Sequence, residues 1–99
     1  LSGVTFSFTN YHAGNTYPAY YTYTFPVNGL STIAYSFTGH SDVTPTITYS
    51  FSNGTTGTVG NTKPTITGNI SVPSEATSVT IRCNTNRHNT AGYGLFTFN

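Results

Sequence analysis

Ile33-Ala-Tyr-Ser-Phe-Thr-Gly-His-Ser-Asp-Val-Thr-Pro-Thr-Ile-Thr-Tyr-Ser-Phe51 holds two runs of strict alternation separated by a polar loop. Ile33, Tyr35 and Phe37 alternate with Ala34, Ser36 and Thr38; Ile47, Tyr49 and Phe51 alternate with Thr48, Ser50 and Ser52. A period of two over β-branched and aromatic residues is the signature of strands with one buried face. Both apolar sets are odd-numbered, so pairing Ile33 with Phe51, Tyr35 with Tyr49 and Phe37 with Ile47 keeps every large side chain on one side. The sequence thus predicts an antiparallel pair over 33–51 as the heart of the core.

Outward from that stretch the same period recurs. Val4, Phe6 and Phe8 predict a first strand near residues 3–9, and Asn10–Thr16 reads as a loop. Tyr17, Ala19, Tyr21, Tyr23 and Phe25 form the longest run, with Pro18 and Pro26 near its ends, where proline is tolerated. A two-residue turn at Asn28-Gly29 would set apolar against polar residues. A three-residue loop with Gly29 left-handed instead pairs Tyr23 with Ile33; an arch between two sheets is the alternative.

Beyond Phe51, Ser52–Lys63 reads as a connection rich in Asn, Gly and Thr, with a short strand around Thr58 and Val59 as an open alternative not counted among the strands. Ile66, Ile70 and Val72 mark the next, with Gly68 in an inward register that calls for a bulge or a large neighbour. Val79, Ile81 and Cys83 follow, then a loop over Asn84–Gly92 and a last strand at Phe96 and Phe98. About seven strands without a helical period predict a single all-β domain over 1–99, an antiparallel β-sandwich of immunoglobulin-like or jelly-roll shape.

Composition limits the function classes. Charged residues make up 5% of the 99, against about 25% in an ordinary domain. Net charge is +1, from Lys63, Arg82 and Arg87 against Asp42 and Glu75, too few scattered cations for a phosphate backbone, so nucleic acid is excluded. No apolar run approaches the ~18 residues of a spanning helix, so membrane insertion is not expected. Cys83 is the one cysteine and sits in an inward register, which predicts a buried small hydrophobe.

Catalysis is not expected. Gly39-His40-Ser41-Asp42 holds the letters of a triad, but adjacent residues in one loop do not place a base between a nucleophile and its orienting acid. One Asp and one Glu leave Asp42 with Glu75 as the sole carboxylate pair. If each strand reverses the one before it, His12, His40, Asp42 and Glu75 share one end of the sandwich, and Lys63, Arg87 and His88 the other; an extra strand at Thr58 and Val59 would change the parity and undo this. The first group is a weak metal candidate without ligand spacing, and neither a metal nor any other cofactor is expected. Asn53-Gly-Thr and Asn69-Ile-Ser match the glycosylation acceptor pattern, which chance alone explains in so Ser/Thr-rich a chain.

Two functions remain. A neutral surface of Thr, Ser and Asn offers little repulsion between copies, which predicts a non-enzymatic structural or adhesive subunit, extracellular, on a cell surface or in a virion, that assembles with itself. Val4, Phe6 and Phe8 would form its assembly strand, either closing an edge within the subunit or completing a neighbour. The alternative is a carbohydrate-binding module that holds a neutral glycan on Tyr11, Tyr20 and Tyr93 with the amides of Asn10 and Asn89, aromatic rings meeting the apolar face of a sugar.

Overall fold

The computed structural model describes residues 4–11, 20–87 and 90–99, with side chains from Tyr21 onward within those ranges. Among the described residues eight strands form in chain order: β1 (Val4–Tyr11), β2 (Tyr20–Pro26), β3 (Thr32–Thr38), β4 (Thr46–Phe51), β5 (Thr56–Val59), β6 (Thr65–Ser71), β7 (Ser78–Asn84) and β8 (Ala91–Phe98). There is no helix among the described residues, and so none long and apolar enough to cross a membrane. The strands make two four-stranded antiparallel sheets, A in the order β1-β8-β3-β6 and B in the order β2-β7-β4-β5. The chain is a β-sandwich, as the alternation predicts.

The expected pairings are another matter. β3 does not pair with β4; β3 lies in sheet A between β8 and β6, and β4 in sheet B between β7 and β5. Nor do β2 and β3 form a hairpin, since Tyr23 pairs with Ile81 and Ile33 with Ile70 and Phe98. The segment between β2 and β3 is the arch between sheets, and Gly29 in it does take the left-handed conformation, with φ of 75°. The physical reason for both corrections is the same. Alternation says which face of a strand is buried, and a buried face is satisfied equally by a strand beside it in one sheet or by one facing it in the other.

Among the described residues only β4 and β5 are joined as a hairpin, through a turn in which Gly54 has φ of 97° and Asn53 Oδ1 accepts the Thr55 N–H. β1 extends to Tyr11, so Asn10 and Tyr11, expected in a loop, are strand residues paired with Gly92 and Ala91.

The core lies between the sheets. Ile33, Phe37, Ile66, Phe96 and Phe98 of sheet A and Ile47, Val79, Ile81 and Cys83 of sheet B are fully buried. Phe25 of β2 crosses to Phe98 of β8, ring centroids 4.7 Å apart. Of the residues expected in the core, Tyr35 and Tyr49 are only half-buried. Each lies across a glycine of the adjacent edge strand: Gly68 pairs with Tyr35, and Gly57 with Tyr49. A Cβ on Gly68 would come within 2.6 Å of the Tyr35 Oη, so the phenol fills the space the missing side chain leaves. That is the large neighbour the inward Gly68 called for.

Threonines do on the outer faces what charged pairs do elsewhere. Thr38 and Thr65 hydroxyls lie 2.7 Å apart across β3 and β6, and Thr24 and Thr80 hydroxyls 3.2 Å apart across β2 and β7. Such cross-strand pairs contribute roughly 0.2–1 kcal/mol each, and they are indifferent to salt.

Candidate functional site

The described surface offers one patch that differs from its polar surroundings. On β8, Phe96 and Phe98 point inward, and the intervening residues of the same strand point out, leaving Tyr93 52% and Leu95 46% exposed. Register places Thr38 beside Tyr93, Ser36 beside Leu95 and Ala34 beside Thr97. A shallow hollow of about 140 Å³ opens here, lined by Ala34, Tyr35, Ser36, Leu95 and Thr97. None of these residues carries a charge, so among the described residues Tyr93 and Leu95 form an apolar centre beside Ser36, Thr38 and Thr97.

Of the glycan-binding candidates, Tyr11 and Tyr93 stand on paired strands, Tyr11 opposite Ala91 and Tyr93 opposite Thr9, and Asn10 stands opposite Gly92. Tyr20 stands in sheet B opposite Asn84, on the other layer of the sandwich. Asn89 lies outside the described residues. Leu95 and the hollow beside it went unread in the sequence, although the alternation of Phe96 and Phe98 already sets Tyr93 and Leu95 on the opposite face.

The ionisable groups do not gather as the strand-reversal reading expected. The loop holding His40 and Asp42 leaves the Thr38 end of β3, where Gly39 N–H donates to Pro64 O, next to Lys63. The same end receives Arg87, because Asn86 Nδ2 donates to Thr44 O at 2.6 Å. Glu75 is at the other end. Its turn follows Val72, whose N–H donates to Ser31 O, and the adjoining Thr77 N–H donates to Ser52 Oγ. Strand β5 reverses the chain once more than a count without it, and this moves Lys63 to the His40 end. Six residue steps of β3 separate the two ends by about 20 Å. Asp42 and Glu75 therefore form no carboxylate pair of the spacing glycoside hydrolysis uses, about 5–9.5 Å.

His40 Nδ1 accepts the Asp42 N–H at 3.0 Å, which leaves that nitrogen without a proton. Its 4.0 Å approach to Asp42 Oδ2 is accordingly no charge pair while the ring is neutral. His12 lies outside the described residues, and among the described ones no three His, Cys, Asp or Glu side chains cluster to hold a metal. The Ser74 hydroxyl, hydrogen-bonded to the carboxylate, holds Glu75 below its usual pKa. Burial pushes the Cys83 thiol up to about 12, so the group is a protonated core residue and not a nucleophile.

On the flank closed by β5 and β6, Tyr35 has its pKa raised, first by burial and then by the nearby Tyr49 phenol. The two rings come one from each sheet, each over its own glycine.

No family model matches the chain, and no curated protein matches it. Solved structures do resemble it in fold. The pre-peptidase C-terminal domain of collagenase from Bacillus anthracis superposes with a TM-score of 0.71 at 14% identity, over 94% of this chain and 88% of that one. The CBM61 structure in complex with beta-1,4-galactotriose gives 0.52 at 14% identity, over 98% of this chain and 66% of that one. The SPBc2 prophage-derived protein YomS gives 0.51 at 11% identity, over 100% of this chain and 98% of that one. At such identities the likeness is one of fold, a β-sandwich shared by domains of different work.

Proposed function

We propose that this chain is a non-enzymatic structural or adhesive β-sandwich subunit, working outside the cell, on a cell surface or in a virion, and associating with copies of itself. The observation that carries this reading is the near absence of charge, 5% of residues with a net +1, on a well-packed sandwich whose outer faces are tiled with threonine. Such a surface has little electrostatic repulsion to keep copies apart. The separation of Asp42 from Glu75 and the protonated, buried Cys83 favour a role without catalysis. Sedimentation equilibrium over a wide range of protein concentration tests the reading: a mass that rises with concentration supports it, and a monomer throughout overturns it.

A second reading rests on a separate observation, the exposure of Tyr93 and Leu95 in a charge-free patch beside the register positions of Thr9 and Tyr11, whereas Asn10 pairs with the inward Gly92. It makes the outer face of sheet A a binding surface for a neutral glycan, the Tyr93 ring stacking on a sugar and the surrounding hydroxyls meeting its own. The fold it shares with a module seen with beta-1,4-galactotriose is consistent with that use. A glycan array decides: binding that Tyr93→Ala abolishes supports the reading, and no binding to any neutral glycan removes it.

A further inference from the structure

We infer that β6 is the strand through which two copies of this chain meet, pairing antiparallel with the β6 of the second copy about a two-fold axis at Gly68. The inference rests on the self-association reading and says which surface carries it.

The backbone supplies the first observation. Pro64 O accepts the Gly39 N–H at 3.0 Å and Val72 N–H donates to Ser31 O at 2.9 Å, so the even-numbered residues of this segment face β3. In an antiparallel ladder the alternate residues turn both backbone groups the other way, so Thr65, Thr67, Asn69 and Ser71 direct theirs to the edge of sheet A; Thr65 O there accepts the Thr62 hydroxyl, which leaves Thr67, Asn69 and Ser71 as its open part. Edge strands are ordinarily blunted by charge, proline or shortness. β6 runs seven residues, Thr-Ile-Thr-Gly-Asn-Ile-Ser, with none of these guards.

The order of those residues supplies the second. The strand reads nearly the same in both directions about Gly68. An antiparallel pairing centred there sets Ile66 against Ile70 of the second copy, Thr67 against its Asn69 and Thr65 against its Ser71. Every isoleucine stays on the inner face and every hydroxyl or amide on the outer, which is what a self-complementary two-fold contact requires. The outward residues meet outward residues, so Thr67 and Asn69 of the second copy form a hydrogen-bonded pair.

Charge supplies the third. Lys63 precedes β6 and Glu75 follows it, both exposed and at opposite ends of the sandwich. Reversing the second copy brings each Lys63 to the side of the other's Pro73-Ser74-Glu75 turn, an attraction at both ends of the pairing. The remaining edges offer less. β5 has four residues and β2 ends on Pro26. β1 is also uncharged, but a two-fold axis at its Ser7 sets Val4 against Asn10 and brings no opposite charges together.

The test uses the full chain. Thr67 and Asn69 are exposed, and in the proposed pairing their Cα atoms face each other about 5.5 Å apart, within disulfide range. A Thr67→Cys/Asn69→Cys variant is expected to oxidise to a covalent dimer linked between 67 and 69, while the buried Cys83 stays reduced. Asn69→Pro removes only an outward N–H and is expected to weaken association at least about tenfold, and Thr67→Lys to do the same should the proline variant not fold. Lys63→Glu is expected to weaken association and Lys63→Glu/Glu75→Lys to restore it. Association that survives both edge variants without cross-linking, or that is lost instead on Ser7→Lys in β1, overturns β6 as the contact and leaves self-association standing. A wild-type chain that remains monomeric overturns both.

Discussion

β5 and β6 close the same flank of the sandwich, one in each sheet, and they use the same packing device. Each sets a glycine beneath a tyrosine of its inner neighbour, Gly57 beneath Tyr49 and Gly68 beneath Tyr35. In other respects they differ. β5 is four residues long, tied to β4 by a tight turn, and its apolar contribution is the half-buried Val59. β6 is seven residues long and buries Ile66 and Ile70 on its inner face. The difference teaches that a shared local motif does not make two edges equivalent: length and burial decide which edge is rigid enough, and open enough, to template another strand.

The largest effect expected of this contrast is in stability. Ile66→Ala removes a fully buried side chain from β6 and is expected to cost about 2–5 kcal/mol, whereas Val59→Ala in half-buried β5 costs about 1 kcal/mol or less. Urea unfolding of the two variants measures this, and equal costs would break the contrast.

A smaller effect is expected at the glycine. Gly68→Ala drives a methyl to 2.6 Å from the Tyr35 Oη, and the displaced ring costs roughly 1–2 kcal/mol. Removing the ring first, in Tyr35→Leu, is expected to make the added methyl nearly neutral, since the two changes then no longer collide. A double-mutant cycle by urea unfolding reads the coupling, and additive costs would show that Tyr35 does not cover Gly68.

The smallest effect is a pH dependence. Burial, then the Tyr49 phenol, raises the Tyr35 pKa above its ordinary 10.0. A folded-state pKa above the unfolded one means a contribution fully present below pH 10 and lost as the pH rises through the folded value. Stability of the wild-type chain is therefore expected to fall more steeply above pH 10 than that of Tyr35→Phe. Denaturant midpoints across that range check the sign, and parallel curves would contradict it.

The fold class was legible in the sequence because burial of one face leaves a period of two, and the strand cores from Val4-Phe6-Phe8 to Phe96-Phe98, β5 excepted, carry it. Gly68 was legible because it sits where the surrounding pattern demands a large neighbour, whereas the left-handed Gly29 was expected from a β2–β3 hairpin that does not form, so its conformation matches but the reason for it does not. Strand partnership was not legible. Ile33 is satisfied by Ile70 and Phe98 beside it just as well as by Phe51, and nothing in alternation separates the cases. The distribution of charge between the ends followed from partnership and strand count, so His40 and Asp42 were wrongly set with Glu75. Tyr93 was legible as an aromatic candidate, but the start of its strand at Ala91 was not, because Gly92 and Gly94 obscure the period there.

The central claim, that β6 and not β5 is the contact edge, is tested most directly by amide hydrogen exchange as the protein is concentrated. The outward N–H groups of Thr67 and Asn69 on β6 and of Thr56 and Thr58 on β5 are followed residue by residue. The account predicts that Thr67 and Asn69 gain protection with concentration while Thr56 and Thr58 do not change. Protection that appears first at Thr56 and Thr58, or exchange at Thr67 and Asn69 that stays the same at every concentration at which the mass rises, would contradict it.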